Sequence, residues 1–355
     1  MPADQPADRS SEDSTDQPGD LPGSGRVMLL DAATLYFRAF YAIPSSVTAP
    51  DGTPSGAVRG FLDMTATLVD RFRPAAVVAC WDDDWRPAWR VARVGSYKAH
   101  RVAAEGAGAG GSGEEVPEHL PAQADAIADL LEALGVARVG APACEADDVA
   151  GVLATRPGSS GGGGVDVVSG DRDLLQLVDD TAHGGAGVRA VWIGRGVGNA
   201  EVVDGAALAR RYDLPGEHPG DAYADLAVLR GDPSDGLPGV AGVGEKTAAS
   251  LLRRHGDLLG VLQAALDGDS SVTPAQRRRL AEAADYLDVA PRVVRVLRHG
   301  EVVEPFGDDD AGVAAADVPA PRPGRLDEAA VTALAERWGA RSPAERLVAA
   351  LTLTR

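Results

Sequence analysis

Aromatic side chains make up only 5% of this 355-residue chain, cysteine occurs twice, and no apolar run approaches the length of a membrane span. With so few rings, a core drawn from 45% apolar residues has to be filled by Ala, Val and Leu. Cys80 and Cys144 form no CxxC and meet no His pair at zinc spacing, so neither a zinc site nor a disulfide framework is expected. They read as reduced thiols of a cytoplasmic protein. The absence of a Cys/His pair or a G-x-S-x-G elbow argues against covalent catalysis. Nothing offers the roughly 20 consecutive apolar residues that a bilayer span requires. Residues 1–25 carry six acids against Arg9 and no apolar stretch, which excludes a signal peptide and predicts a solvated tail.

Positive charge is also scarce overall. With 34 Lys and Arg against 53 Asp and Glu the net charge is −19, which disfavours indiscriminate binding to polyanions. What basic charge exists is concentrated: Arg86, Arg90, Arg93, Lys98 and Arg101 follow one another with no acid among them, and Arg253-Arg254 and Arg277-Arg278-Arg279 add local runs. Such a stretch is either a solvated face or a surface for a phosphate backbone.

The acids are distributed with more order. Nine of them fall in five clusters: Asp31; Asp82; Glu145, Asp147 and Asp148; Asp171 and Asp173; Asp232 and Asp235. Four clusters follow strand-like runs, VMLLD, AVVACWD, ARVGAP and VDVVSGDRD. Ligands of open α/β sheets gather at the carboxyl ends of strands, so distant acids can converge there. Converging carboxylates repel one another unless a cation intervenes, and hard oxygen donors favour Mg²⁺ or Mn²⁺. Each cluster also has a local explanation. Asp31 or Asp82 can cap a turn, the EADD run can complement a helix dipole, and Asp171 with Asp173 can open the helix RDLLQLV. In the WDDDW run Asp82 is the preferred candidate and Asp84 the alternative.

Strand-like and helix-like segments alternate from about Arg26 to Ile193, the pattern of a parallel-sheet α/β domain over residues 26–221. Two Gly-rich inserts, Glu105–Glu115 and Arg156–Gly164, read as loops. Residues 222–300 read as helical, 301–324 as an acidic, Pro-rich linker or strap, and 325–355 as two helices. The second of these is predicted to open on a capping box at Ser342-Pro343-Ala344-Glu345. Within the helical region, GLPGVAGVGEKTAASLLRRHG sets Gly239, Gly242 and Gly244 ahead of a helix predicted from Glu245 to Gly256. Glycines there let backbone N–H groups and a helix N-terminus approach a phosphate, the helix-hairpin-helix arrangement. A nucleotide-binding loop is excluded, because Glu245 separates Gly244 from Lys246-Thr247 and no strand precedes it.

In this order the segments LLDAATLYFRAFYA, VVACWDDDWRPAWRVARVGSYKAHR, CEADDVAG, VVSGDRDLLQLV and LRGDPSDGLPGVAGVGEKTAASLL resemble the 5′-nuclease family, which includes flap endonucleases and the 5′→3′ exonuclease domain of bacterial DNA polymerase I. The resemblance spans roughly Val27 to Arg298 and lacks a polymerase-sized extension. It implies a PIN-like α/β nuclease core followed by an α-helical helix-hairpin-helix domain, in a monomer acting on DNA. It implies two divalent ions held by Asp31, Asp82, Glu145, Asp147, Asp148, Asp171, Asp173 and Asp235, with Asp232 close by. Arg38, Arg90, Lys98 and Arg101 would contact phosphate, Phe37 would stack near the scissile end, and the hairpin with Lys246 and Thr247 would grip duplex, with a monovalent cation. Lys98 and Arg101, three apart, would share one helix face. The chain departs from the family in Ala32, which stands where a glycine is usual, and in its Gly-rich segment after Arg101, where an arch over the 5′ end is expected. Three rivals are weaker. A haloacid-dehalogenase phosphatase would need an Asp at Ala33, a non-catalytic DNA-binding module would not need the carboxylates, and a small PIN-type ribonuclease would lack the hairpin. Exonuclease or flap preference is left open.

Overall fold

The computed structural model describes residues 25–102, 117–306 and 311–353; residues 1–24 of the acidic tail and the whole of the first Gly-rich insert, where the arch is expected, lie outside them. The chain opens with β1 (Val27–Asp31), α1 (Ala32–Ala42), α2 (Gly56–Phe72), β2 (Ala76–Cys80), α3 (Ala88–Arg93), α4 (Leu120–Ala133) and β3 (Ala137–Val139). There follow α5 (Ala146–Thr155), β4 (Val165–Ser169), β5 (Val188–Trp192), β6 (Glu201–Val203) and α6 (Gly205–Tyr212). The sheet order is β3-β2-β1-β4-β5-β6, parallel except for β6 against β5. The order reverses direction between β1 and β4, and that is where an open sheet leaves a crevice for a ligand. The strands are short runs of Val, Leu and Ala buried on both faces, as a covered parallel sheet requires.

One face of the sheet is covered by α1, α2 and α4, whose core includes Leu35, Phe61, Leu62, Ile127 and Leu130. The other is covered by α5, whose Val149, Val152 and Leu153 share a core with Leu29, Val78, Cys80 and Val167 of the strands. At the amino end of the sheet Arg26 pairs with Asp166 and donates to the carbonyls of Val165 and Gly187 at 2.7 and 2.9 Å.

Beyond the sheet, α7 (Pro219–Arg230), α8 (Glu245–His255), α9 (Leu258–Leu266), α10 (Pro274–Glu282) and α11 (Ala284–Val294) share a second core around Leu226, Leu229, Leu252 and Val261. α7 starts at Pro219, three residues before the boundary expected at 222, because a proline suits the first helical turn. The segment expected as a linker or strap carries a small sheet: β7 (Val302–Val303) pairs with β8 (Val313–Ala314), and Val303, Val313 and Val318 are buried in the core that α5 shares. The chain then forms α12 (Glu328–Arg337) and α13 (Arg341–Thr352). The capping box expected at Ser342 is absent: α13 already begins at Arg341 behind the buried Ala340, so Ser342 lies inside the first turn. α13 lies along α2, with Leu347 and Ala350 in the same core and Arg346 paired to Asp63 and donating to Thr67.

Candidate active site

The acids do gather at the carboxyl edge of the sheet, and local hydrogen bonds explain how. Asp31 ends β1 and caps α1: the Thr34 N–H donates to its Oδ1 at 3.0 Å, while the Ser169 hydroxyl at the end of β4 donates to Oδ2 at 2.6 Å. Ser169 also accepts from the Asp171 N–H at 2.8 Å, so one hydroxyl joins the ends of adjacent strands. Asp82, two residues beyond β2, accepts from the Ala146 N–H at 2.8 Å and thus lies at the start of α5. Asp84 instead accepts from the Arg86 N–H within its own loop. Glu145 is the N-cap of α5, and Asp147 is in its first turn. Asp173 opens a 3₁₀ turn, Asp173–Leu177, and its N–H donates to Asp171 Oδ1 at 3.0 Å. Asp232 accepts from the Ser234 N–H in the loop after α7, and Asp235 accepts from Arg101 at 2.9 Å. Capping and convergence are therefore compatible.

Burial pushes the carboxyls of Asp31, Asp82, Asp147, Asp173 and Asp235 up, and the acids raise one another. Asp82 is pushed up to about 7 by burial, with Asp31 and Glu145 adding to it. Asp31 and Asp171 both act on Asp147; Asp171, Asp235 and Asp232 all act on Asp173. The five sequence clusters are one electrostatic neighbourhood. Lys98, Arg101 and Arg230 oppose this charge without neutralising it. Among the described residues, no three His, Cys, Asp or Glu side chains already close around one point. The donor set is nevertheless all oxygen, anionic and under-compensated, which fits hard divalent cations.

Two expected site residues are placed differently. Arg90 is buried, and its guanidinium forks onto Asp148 at 2.6 and 2.7 Å, reaches Glu145 at 3.3 Å and stacks over Trp89 at 4.1 Å. It is not available to a phosphate. Asp148 is completely buried and also accepts from the Glu145 and Leu297 N–H groups, so both its oxygens are taken and it is not positioned as a metal ligand. Breaking such a pair by removing one partner costs on the order of 3–5 kcal/mol. Burial alone would lower the Arg90 pKa, but Asp148, Tyr97 and Glu145 outweigh it and hold the charge in place.

Lys98 does face the cluster. It is mostly buried and pairs with Glu145 Oε2, while the Tyr97 hydroxyl donates to Glu145 Oε1 at 2.7 Å. Lys98 and Arg101 do not share an α-helical face: Lys98 has φ +47 and precedes a 3₁₀ turn, Ala99–Arg101, and Arg101 turns to Asp235 and the Ser234 carbonyl. Tyr97 and Ser169 are site residues that the acid pattern does not reveal. The signal for Ser169 was its position between a strand and two aspartates in VVSGDRD.

Beside Asp171 an open groove of about 720 Å³ is lined by Thr34, Phe37, Arg38, Tyr41, Gly170 and Trp192. Phe37 stacks on the exposed Tyr41, rings 6.5 Å apart. Arg38 reaches the Gly194 carbonyl only at 3.5 Å, and its Nε is buried with no hydrogen-bond partner. A groove that opens on the acids, with aromatic rings and an under-used guanidinium, suits a polyanion with stacking bases.

The hairpin between α7 and α8 presents backbone. Gly239 (φ +64) is buried against the end of α7, whereas Gly242 (φ +74) is exposed. Arg279 from α10 donates to the Ala241 carbonyl at 3.0 Å and lies where a Gly242 Cβ would meet it at 3.1 Å. Gly244 is extended (φ −86) and caps α8 without a side-chain bond, and a Cβ there would meet nothing within 4 Å. The first-turn N–H groups of α8 thus face outward next to an exposed Lys246 and a half-buried Thr247.

Residues 26–212 match the family model described as the 5′-3′ exonuclease N-terminal resolvase-like domain, and residues 218–311 match the 5′-3′ exonuclease C-terminal SAM fold. A 5′-3′ exonuclease of Streptomyces coelicolor is 51% identical over 92% of this chain and 100% of its own length. One of Mycobacterium tuberculosis is 47% identical over 92% and 97% respectively. Among solved structures, the bacteriophage T5 D15 flap endonuclease in a pseudo-enzyme-product complex with DNA and metal ions superposes with a TM-score of 0.54 over 92% of this chain and 98% of its own, at 15% identity. By sequence match and fold, the chain belongs to the 5′-3′ exonuclease family.

Proposed function

We propose that the protein is a metal-dependent 5′→3′ exonuclease that hydrolyses DNA phosphodiesters near a 5′ end, on duplex or 5′-flap substrates. The observation that carries this reading is the convergence of mutually repelling carboxylates, most of them buried or half-buried, at the carboxyl edge of β1, β2 and β4, faced by Lys98 and Arg101. Asp31, Asp82, Asp147, Asp171, Asp173 and Asp235 would hold two Mg²⁺ or Mn²⁺ ions, with Glu145 and Asp232 beside them. Those ions would supply the positive charge that lets water displace the leaving oxygen in line. Lys98 and Arg101 orient the reacting phosphate and offset its developing charge. Arg38 and Phe37 hold the strand end in the groove. Gly242, Gly244, Lys246 and Thr247 grip the intact duplex, with Gly239 shaping the hairpin and a monovalent cation bridging it to the backbone. Two buried, unpaired cysteines suit a reducing cytoplasm, no helix among the described residues is long and apolar enough to cross a membrane, and the enzyme works as a monomer.

Release of nucleotide from 5′-labelled duplex, single-strand and flap DNA, with Mg²⁺ and with chelator, tests this. Metal-dependent release from the 5′ end is expected. A purified, folded protein inert on all three substrates would overturn it.

A further inference from the structure

The last turn of α11 is tied to the site in a way its own sequence does not require. A helix leaves its final carbonyls without intrahelical partners. Here the Val293 carbonyl accepts from Arg90 Nε at 3.1 Å, and the Val294 carbonyl accepts from Gln176 Nε2 at 3.0 Å. The chain beyond the helix is held by Gln176 again and by Asp148, the ion-pair partner of Arg90: the Val296 N–H donates to Gln176 Oε1 at 2.9 Å, and the Leu297 N–H donates to Asp148 Oδ1 at 2.9 Å. Arg90 and Gln176 are each 2% exposed, so these bonds form without competing water. Gly151 of α5 admits the strap, since any Cβ there would strike the Leu297 carbonyl.

Both anchors sit beside candidate metal ligands. Asp148, which Arg90 grips, follows Asp147 in the first turn of α5, and Gln176 lies in the 3₁₀ turn that Asp173 opens. At its other end α11 touches the duplex-binding region: the Tyr286 hydroxyl donates to the Val228 carbonyl of α7 at 3.1 Å. The strap from Val293 to Leu297 therefore has the hairpin-bearing helices on one side and both metal-bearing elements on the other.

We propose that Arg90 and Gln176 are positioning residues that couple engagement of duplex by the helical region to the placement of Asp147 and Asp173. Neither touches substrate. They clamp the end of α11 between the two elements, so a shift of α11 on duplex binding moves the acids. The inference rests on the nuclease reading for its kinetic arm only.

The test uses the full chain, a hairpin duplex with a 5′ end, and four proteins: wild type, Gln176→Leu, Gln176→Glu and Arg90→Lys. Gln176→Glu keeps the acceptor for Val296 and loses the donor to Val294; Arg90→Lys keeps charge and loses the fork. Hydrogen exchange without divalent metal should show duplex slowing the amides of Val296, Leu297 and the first turn of α5 in wild type. In Gln176→Leu and Arg90→Lys, metal-free duplex affinity should stay within about twofold while α5 protection is lost and kcat falls about tenfold at little changed KM. Gln176→Glu should lie between. Persistent α5 protection with wild-type kcat in any folded variant would overturn the coupling, as would a wild type whose α5 exchange ignores duplex. A wild type that shows the protection but releases no nucleotide would instead sink the nuclease reading and leave the clamp standing. Should Gln176→Leu not fold, the two conservative variants carry the same comparison.

Discussion

The acid cluster and the hairpin, both proposed to meet DNA, are built on opposite plans. At the cluster the side chains carry everything: closely gathered carboxylates raise one another, and Lys98 is locked onto Glu145 beside them. At the hairpin the exposed surface is largely backbone, at Gly242 and Gly244, with Lys246 an exposed charge beside it. Charge that must be exchanged with metal and substrate is concentrated and poorly compensated. Contact that must only hold position is carried mainly by backbone and is short-ranged. A substitution should therefore affect rate in the first region and affinity in the second.

The sharpest way to break this comparison is at the loop after β4. Asp171→Ala or Asp173→Ala should lower single-turnover cleavage on the order of 10²-fold or more, as for loss of an electrostatic stabiliser, while metal-free duplex binding is retained. Full turnover with Mg²⁺ in both variants would remove the metal assignment. Next in size, Lys98→Ala or Arg101→Ala should reduce single-turnover rate about tenfold and affinity much less, because these groups are proposed to act on the reacting phosphate. A fall confined to affinity would make them backbone holders.

At the hairpin the expected change is a few-fold. Gly242→Val and Gly244→Val should weaken duplex binding by about two- to fivefold and flatten its salt dependence, since a phosphate contact is lost. A short single strand that cannot reach the hairpin should be cut at the wild-type rate. Gly242→Val should also lower thermal stability, because φ +74 and Arg279 both resist a Cβ, whereas Gly244→Val should not. Equal effects of both variants on melting would show that the hairpin is merely a packed turn.

The smallest effect separates the regions by pH. Asp82 is raised in the folded state, to about 7 from an ordinary 3.8, so the folded chain binds more protons than the unfolded one between those values. Metal-free stability then falls as pH rises through that window, and the bound ions compete against fewer protons above it. Melting curves with and without Mg²⁺ should diverge by a few degrees more at pH 8 than at pH 6. Gly242→Val should leave that difference unchanged and Asp82→Asn should shrink it.

The sequence made the strand-end acids, the sheet class and the start of α8 at Glu245 legible, because each depends on neighbours a few residues away. Arg90 was not legible as a strut. Its partners Asp148 and Val293 lie 58 and 203 positions away, and nothing in a basic run distinguishes an arginine facing solvent from one turned inward. The shared helix face expected of Lys98 and Arg101 failed for a different reason: the left-handed backbone of Lys98 breaks the helical spacing on which it depended. Tyr97 and Ser169 are visible only when the carboxylates they serve are in place.

The docking of α13 onto α2 carries a consequence for synthesis. Asp63 and Arg346, which pair across that contact, are separated by 283 positions. A ribosome adding 5–20 residues per second would leave the apolar face of α2 without its partner for tens of seconds, with every candidate metal ligand already made before the cover arrives. The nascent chain therefore has to carry its future active site past an uncovered face, and a ribosome stalled before Arg341 would leave a chain with all its chemistry and an exposed patch inviting aggregation.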